Sequence, residues 1–185
     1  MKNFSITIIL SVFLIPVTTL AQDSYPSFAK GIRAGWQNSG MYRSGTQNFD
    51  NLNSFYVGIF SESSVSENWS GGSGIEYFQT GFEDVTGNFK MHIISLPIYI
   101  KPRIGPVFGT AGLALNFKIS DNREDFPGVI SDPRFFDLPL TLGGGVQFGP
   151  VVVEAKYYWG LFNAANLDGL GHKNRYVQVG AAFMF

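Results

Sequence analysis

The chain carries two histidines, His92 and His172, and no cysteine. A histidine beside a hydroxyl and a carboxylate is the constellation of nucleophilic hydrolysis: the imidazole takes the hydroxyl proton and the acid orients the ring. Ser95 and Glu83 are the candidate neighbours of His92. Their spacing is not specific to any hydrolase, so both histidines are expected at the surface and no catalytic residue is expected. The run Asp121-Asn-Arg-Glu-Asp125 sets carboxylates close enough to touch calcium. It lacks the ordered ligands and the glycine of a calcium loop, so a solvated loop is expected there. Gly143-Gly-Gly145 has no following Lys-Ser/Thr and is not a phosphate loop. Without cysteine there is no disulfide framework, thiolate metal site, thiol nucleophile or lipidated N-terminal Cys. Nothing in these residues asks for a metal or a cofactor.

A larger set of charges is spread through apolar segments. Arg33, Lys101, Arg103, Lys118 and Lys156 stand against Glu62, Glu76, Asp137 and Glu154, five positive and four negative. The segments that must position them lie near 28-37, 54-63, 69-80, 91-103, 106-119, 135-148, 151-162 and 175-185. Each alternates in character with a period of two, which puts successive side chains on opposite faces of a strand. In the last segment Val177, Val179, Ala181, Phe183 and Phe185 share one face, and Tyr176, Gln178, Gly180, Ala182 and Met184 the other. In the seventh, Val151, Val153, Ala155, Tyr157, Trp159 and Leu161 oppose Glu154, Lys156, Tyr158 and Gly160. The fourth sets Ile94, Leu96, Ile98 and Ile100 against Ser95, Tyr99, Lys101 and Arg103. The first and third are weaker, and Trp69-Ser-Gly-Gly-Ser-Gly74 suggests a bulge. No segment shows a helical period.

Short connections are expected at Val65-Asn68, Ile104-Gly105 and Gly149-Pro150, and long ones at about 38-53, 81-90, 120-134 and 163-174. Strict alternation of short and long is the pattern of a transmembrane barrel with short periplasmic turns and long external loops. The expected fold is all-β: an eight-stranded antiparallel up-and-down barrel spanning residues 22-185. Residues 1-21 read as a signal peptide, with Lys2, an apolar stretch from Ile6 to Val17 and Thr19-Leu20-Ala21 before the cleavage point. The chain is rich in aromatics and glycine, with 18 Phe, 8 Tyr, 3 Trp and 22 Gly, as small barrels are. A net charge of -1 and the lack of a basic run give no reason to expect a nucleic-acid partner.

Alternation alone fits a soluble lipocalin-like barrel as well. Glycines on the polar face suit a tight interior, and aromatics near strand ends suit interfacial girdles: Trp36, Trp69, Tyr157, Trp159 and Phe183. Phe185 ends an alternating apolar strand, like the signal read by barrel-insertion machinery. The apolar face is therefore expected toward lipid and the nine charges toward the lumen. Eight strands leave room only for side chains, and unpaired buried charges cost several kcal/mol, so a plugged, salt-bridged lumen is expected.

An ordered series of short motifs runs along the mature chain. It comprises Lys30-Gly-Ile-Arg-Ala-Gly35, Phe55-Tyr-Val-Gly-Ile-Phe-Ser-Glu62, Ser66-Glu-Asn-Trp69 and Gly74-Ile-Glu-Tyr77. It continues with Ile94-Ser-Leu-Pro-Ile-Tyr-Ile-Lys101, Phe108-Gly-Thr-Ala-Gly-Leu113, Gly143-Gly-Gly-Val-Gln-Phe-Gly149 and Tyr176-Val-Gln-Val-Gly180. The series resembles the PorT-like family of small outer-membrane β-barrel proteins, although relatives often have bulkier residues than Gly71-Gly-Ser-Gly74. The resemblance implies an integral outer-membrane protein without an assigned reaction. The expected function is a non-enzymatic one: envelope structure, or a component of an outer-membrane or secretion assembly. Its partners would be outer-membrane lipids, the barrel-insertion machinery, and another envelope protein reached through the external loops. A narrow channel for small solutes and a lipid A-modifying hydrolase are the alternatives.

Overall fold

The computed structural model describes residues 28–43, 46–47, 50–84, 87–122, 130–131, 134–167 and 170–185. The expected leader, residues 1-21, lies outside them, as does most of the Asp121–Asp125 run. Eight long strands follow one another: β1 (Phe28–Arg43), β2 (Asp50–Ser66), β3 (Trp69–Asp84), β4 (Gly87–Ile104), β5 (Val107–Asp121), β6 (Pro139–Phe148), β7 (Val151–Leu167) and β8 (Leu170–Met184). Each pairs antiparallel with its sequence neighbours, and β8 pairs back onto β1, so the sheet closes into a barrel. Phe136–Asp137 extends β6 in the same register along β5 after a break at Leu138. Closure removes every sheet edge, which a strand in hydrocarbon requires.

The three short connections are two-residue turns, Glu67-Asn68, Gly105-Pro106 and Gly149-Pro150. Gly105 and Gly149 take φ of 58° and 57°, the sign that tight hairpins demand. The long connections are shorter than the sequence suggests. Residues 38–43, 50–53, 81–84, 87–90, 163–167 and 170–174 are strand, not loop. The expected bulge in Trp69–Gly74 is absent too. Trp69–Ser73 pairs with β4 in continuous register, and the nearby irregularity falls at Val65 on the facing strand β2.

The extra strand length went unseen because the alternation changes phase. Along β4, Ile94, Leu96, Ile98 and Ile100 face outward, with Ser95, Tyr99 and Lys101 inside. Beyond them Ile93, Met91 and Phe89 face inward. Toward the turns the barrel is apolar outside and polar inside. Toward the long-loop end it holds an apolar core of Met41, Phe78, Phe82, Phe89, Met91 and Ile93. A wall facing hydrocarbon needs the first arrangement and a wall facing water needs the second.

Outward residues of the turn-side part form a band that includes Ile32, Val57, Ile59, Ile98, Ile100, Leu140, Leu142 and Val153, each about half exposed. Aromatics mark both margins. Phe28, Trp69, Phe148, Phe183 and Phe185 stand at the turn side, and Trp36, Phe55 and Trp159 at the other. Phe28 and Trp36 are eight residues apart on β1. At about 3.3 Å per residue and a tilt near 40° that separation is roughly 20 Å, close to the apolar height of an outer-membrane barrel.

Candidate functional site: the lumen network

Strand parity delivers the charged side chains to one level of the lumen. Arg33 from β1 reaches Glu76 on β3 and Glu154 on β7, with Nη1 at 3.3 and 3.4 Å from their Oε1 atoms. Lys156 Nζ lies 2.7 Å from Glu154 Oε1. Lys101 on β4 binds both oxygens of Glu62 on β2, at 2.8 and 3.1 Å, and reaches Gln147 Oε1 at 3.4 Å. The Tyr99 phenol joins the two groups, accepting from Arg33 Nη2 at 2.8 Å and donating to Glu62 Oε1 at 2.9 Å. Three cations, Arg33, Lys101 and Lys156, thus meet three carboxylates, Glu62, Glu76 and Glu154, and all six residues are buried. The pairing offsets the cost of taking each charge out of water.

Aromatic rings flank the ions. The Arg33 guanidinium sits 4.0 Å from the Phe60 ring centre and Lys101 Nζ 4.2 Å from that of Phe108, inside favourable cation–π range. On the turn side Phe60, Phe108, Val152 and Ala182 pack together inside the barrel. On the other side Tyr158 stacks on Tyr176 at 4.4 Å, and Phe78 lies 5.0 Å from Tyr176. Gln178 donates to Gln37 at 2.9 Å, and Asn116 to the Tyr176 hydroxyl at 3.0 Å. Beside Thr80, Asn116, Asp137 and Asn174 lies a cavity of about 20 Å³, room for one water, and a wider one of about 240 Å³ opens at the turn-side mouth beside Glu62, Ser70, Arg103 and Gln147.

Six of the nine expected lumen charges therefore meet in the network, and three stand apart. Lys118 pairs with Asp121 near the long-loop end. Asp137 is buried and accepts from its neighbour's Leu138 N–H at 2.8 Å. Arg103 is half-buried beside the turns and forms no ion pair among the described residues. All three have inward parity but lie at other heights in the lumen. Parity had placed Tyr99 on the polar face without assigning it a role. Its position two residues before Lys101, on the same face, was the available signal.

The hydrolytic combination is not assembled. His92 stands on the outer wall, where its Nδ1 lies 2.7 Å from the Tyr77 hydroxyl, and Ser95 is buried on the lumen side of the same strand. Glu83 pairs with Asn88 in the β3–β4 ladder, whereas Gln79 is the partner of His92. His172, expected at the surface, is buried because β8 continues through it with inward parity. At the start of the acidic run, Asp121 binds Lys118 and Asn122 accepts from the Lys90 N–H at 2.8 Å. The described residues contain no group of side chains able to hold a metal.

No family model and no curated protein matches the chain. Solved structures do. Neisserial surface protein A (NspA) aligns with a TM-score of 0.52 and 14% identity, over 88% of this chain and all of that one. Ail of Yersinia pestis, in complex with the heparin analogue sucrose octasulfate, aligns with a TM-score of 0.48 and 19% identity, over 86% of this chain and all of that one. The closure of the sheet, its meander order and the superposition on NspA agree: the chain has the fold of a small eight-stranded outer-membrane β-barrel.

Proposed function

We propose that this protein is an integral, non-enzymatic outer-membrane barrel with a plugged lumen. It serves envelope structure, or acts as a component of an outer-membrane or secretion assembly in the manner of the PorT-like proteins. The observation that carries this reading is the phase switch between Ile93 and Ile94. Along β4 it gives one part of the wall an outer face suited to hydrocarbon and the next an outer face suited to water. The watery part is a pedestal with its own apolar core, and it holds the long-loop end clear of the bilayer. A partner reached through that end fits such a pedestal. Residues 1-21 act as the export signal and Phe185 as the insertion signal. Trp36, Trp69, Tyr157, Trp159 and Phe183 settle the barrel at the lipid interfaces.

The test is mass spectrometry of what co-purifies with the tagged protein from gently solubilised outer membranes, together with mass spectra of lipid A on overexpression. A stoichiometric envelope protein supports the assembly role, and a clean monomer with unchanged lipid A supports the structural one. Altered lipid A overturns the non-enzymatic reading.

A further inference from the structure

The lipid-facing band is bulky around most of the barrel, but one sector is carved out. Ile32, Ile59 and Ile75 are register partners across β1, β2 and β3. The next outward row toward the turns is Lys30, Ser61 and Ser73, and the row after it is Phe28, Ser63 and Gly71. Outside Gly71 there is open space. On β4 the same rows regain bulk, with Ile98 beside Ser73 and Ile100 beside Gly71. The small residues thus leave an outer groove of about 580 Å³, lined by Phe28, Lys30, Ile59, Ser61, Ser73 and Phe185.

We propose that this groove seats one acyl chain of an anionic glycerophospholipid, with its phosphate on Lys30. The inference rests on the membrane reading above. Three observations select this occupant. The walls are hydrocarbon, with Phe28, Ile59 and Phe185 between 58% and 74% exposed. The groove is concave where the surface of a barrel is ordinarily convex, so a chain lying in it gains contact on three sides. Lys30 stands within two residues of the aromatic margin, and it forms no ion pair among the described residues. Its Nζ lies 5.4 Å from the Phe28 ring centre. A lysine placed there runs its stem along apolar surface and sets its ammonium at the headgroup level. The cation is matched by the negative charge of an anionic lipid and not by a zwitterionic one.

The test is native mass spectrometry of the full chain folded in detergent, offered phosphatidylglycerol and phosphatidylcholine with identical acyl chains. The expected result is retention of phosphatidylglycerol about fivefold over phosphatidylcholine, the bias one lysine gives near a membrane surface. Lys30→Gln should bring the two lipids to parity, and Ser73→Leu should lower retention of both. Equal retention by the unaltered protein overturns the proposal without need of any variant. So does a preference that survives Lys30→Gln, or a lipid-free dimer covering the groove. Insertion of the same preparation into vesicles, read by protection of the strands from protease, separates the two readings. A barrel that inserts but shows no preference sinks only the groove, and one that fails to insert sinks the membrane reading as well.

Discussion

Arg33 donates from Nη2 to the Tyr99 hydroxyl at 2.8 Å, spanning the lumen from β1 to β4. That phenol in turn donates to Glu62. One uncharged side chain therefore ties the Arg33–Glu76–Glu154–Lys156 cluster to the Glu62–Lys101 pair. A single connected network spans the lumen, so its members are expected to act together.

Tyr99→Phe removes the link and leaves a buried guanidinium N–H and a carboxylate oxygen each short of a partner. Such losses cost about 1–3 kcal/mol. Urea unfolding of the detergent-folded barrel, followed by tryptophan fluorescence, should show that loss. An unchanged midpoint would mean that the phenol is filler only.

Arg33→Met leaves Glu76 without its cation, while Glu154 keeps Lys156. Breaking a buried pair from one side costs about 3–5 kcal/mol. The double variant Arg33→Met with Glu76→Gln should recover part of that loss. Strict additivity in the same unfolding experiment would contradict the coupling.

Two adjacent glycines should respond oppositely to one methyl group. A Cβ at Gly72 would stand 2.4 Å from the Tyr99 ring, and a Cβ at Gly71 would meet nothing within 4 Å. Gly72→Ala should destabilise by about 1–3 kcal/mol through overpacking, and Gly71→Ala should be close to neutral. Equal effects would place Tyr99 elsewhere.

The phase switch can be probed from outside. Ile98, 52% exposed, lies in the apolar band, and Asn88 is exposed on the wall beyond it. Arginine facing the bilayer midplane costs about 2–4 kcal/mol. Ile98→Arg should lose that much in lipid vesicles, and Asn88→Arg should stay within about 0.5 kcal/mol, as surface substitutions do. Similar costs at the two sites would contradict the boundary.

Much of this arrangement was legible in the chain, for a definite reason. Where one face meets lipid the period of two is stark, and the faces read from Val151–Leu161 and Val177–Phe185 hold in the barrel. The expected charge set followed from that parity, and six of its nine members converge. Parity fixes which side a residue faces but not its height, so it could not separate Lys118, Asp137 and Arg103 from the rest. It also failed where the surroundings change. In the barrel Ile93 and Ile94 are consecutive apolar residues serving opposite faces. Segments such as 81–84 and 87–90 carry apolar residues of inverted phase, so the pattern of the flanking strands does not extend into them although they are strand. Gly71-Gly-Ser-Gly74 suggested a bulge because glycine weakens strands. Here Gly72 makes room for the Tyr99 ring instead, a cross-strand fit that no single segment reveals.

The most direct test of the plugged barrel is single-channel recording of the purified protein in a planar lipid bilayer. A lumen crossed by paired ions and stacked tyrosines predicts insertion without stable conductance steps above the membrane leak. Steady, uniform, sizeable steps would show an open path through the barrel and contradict the account.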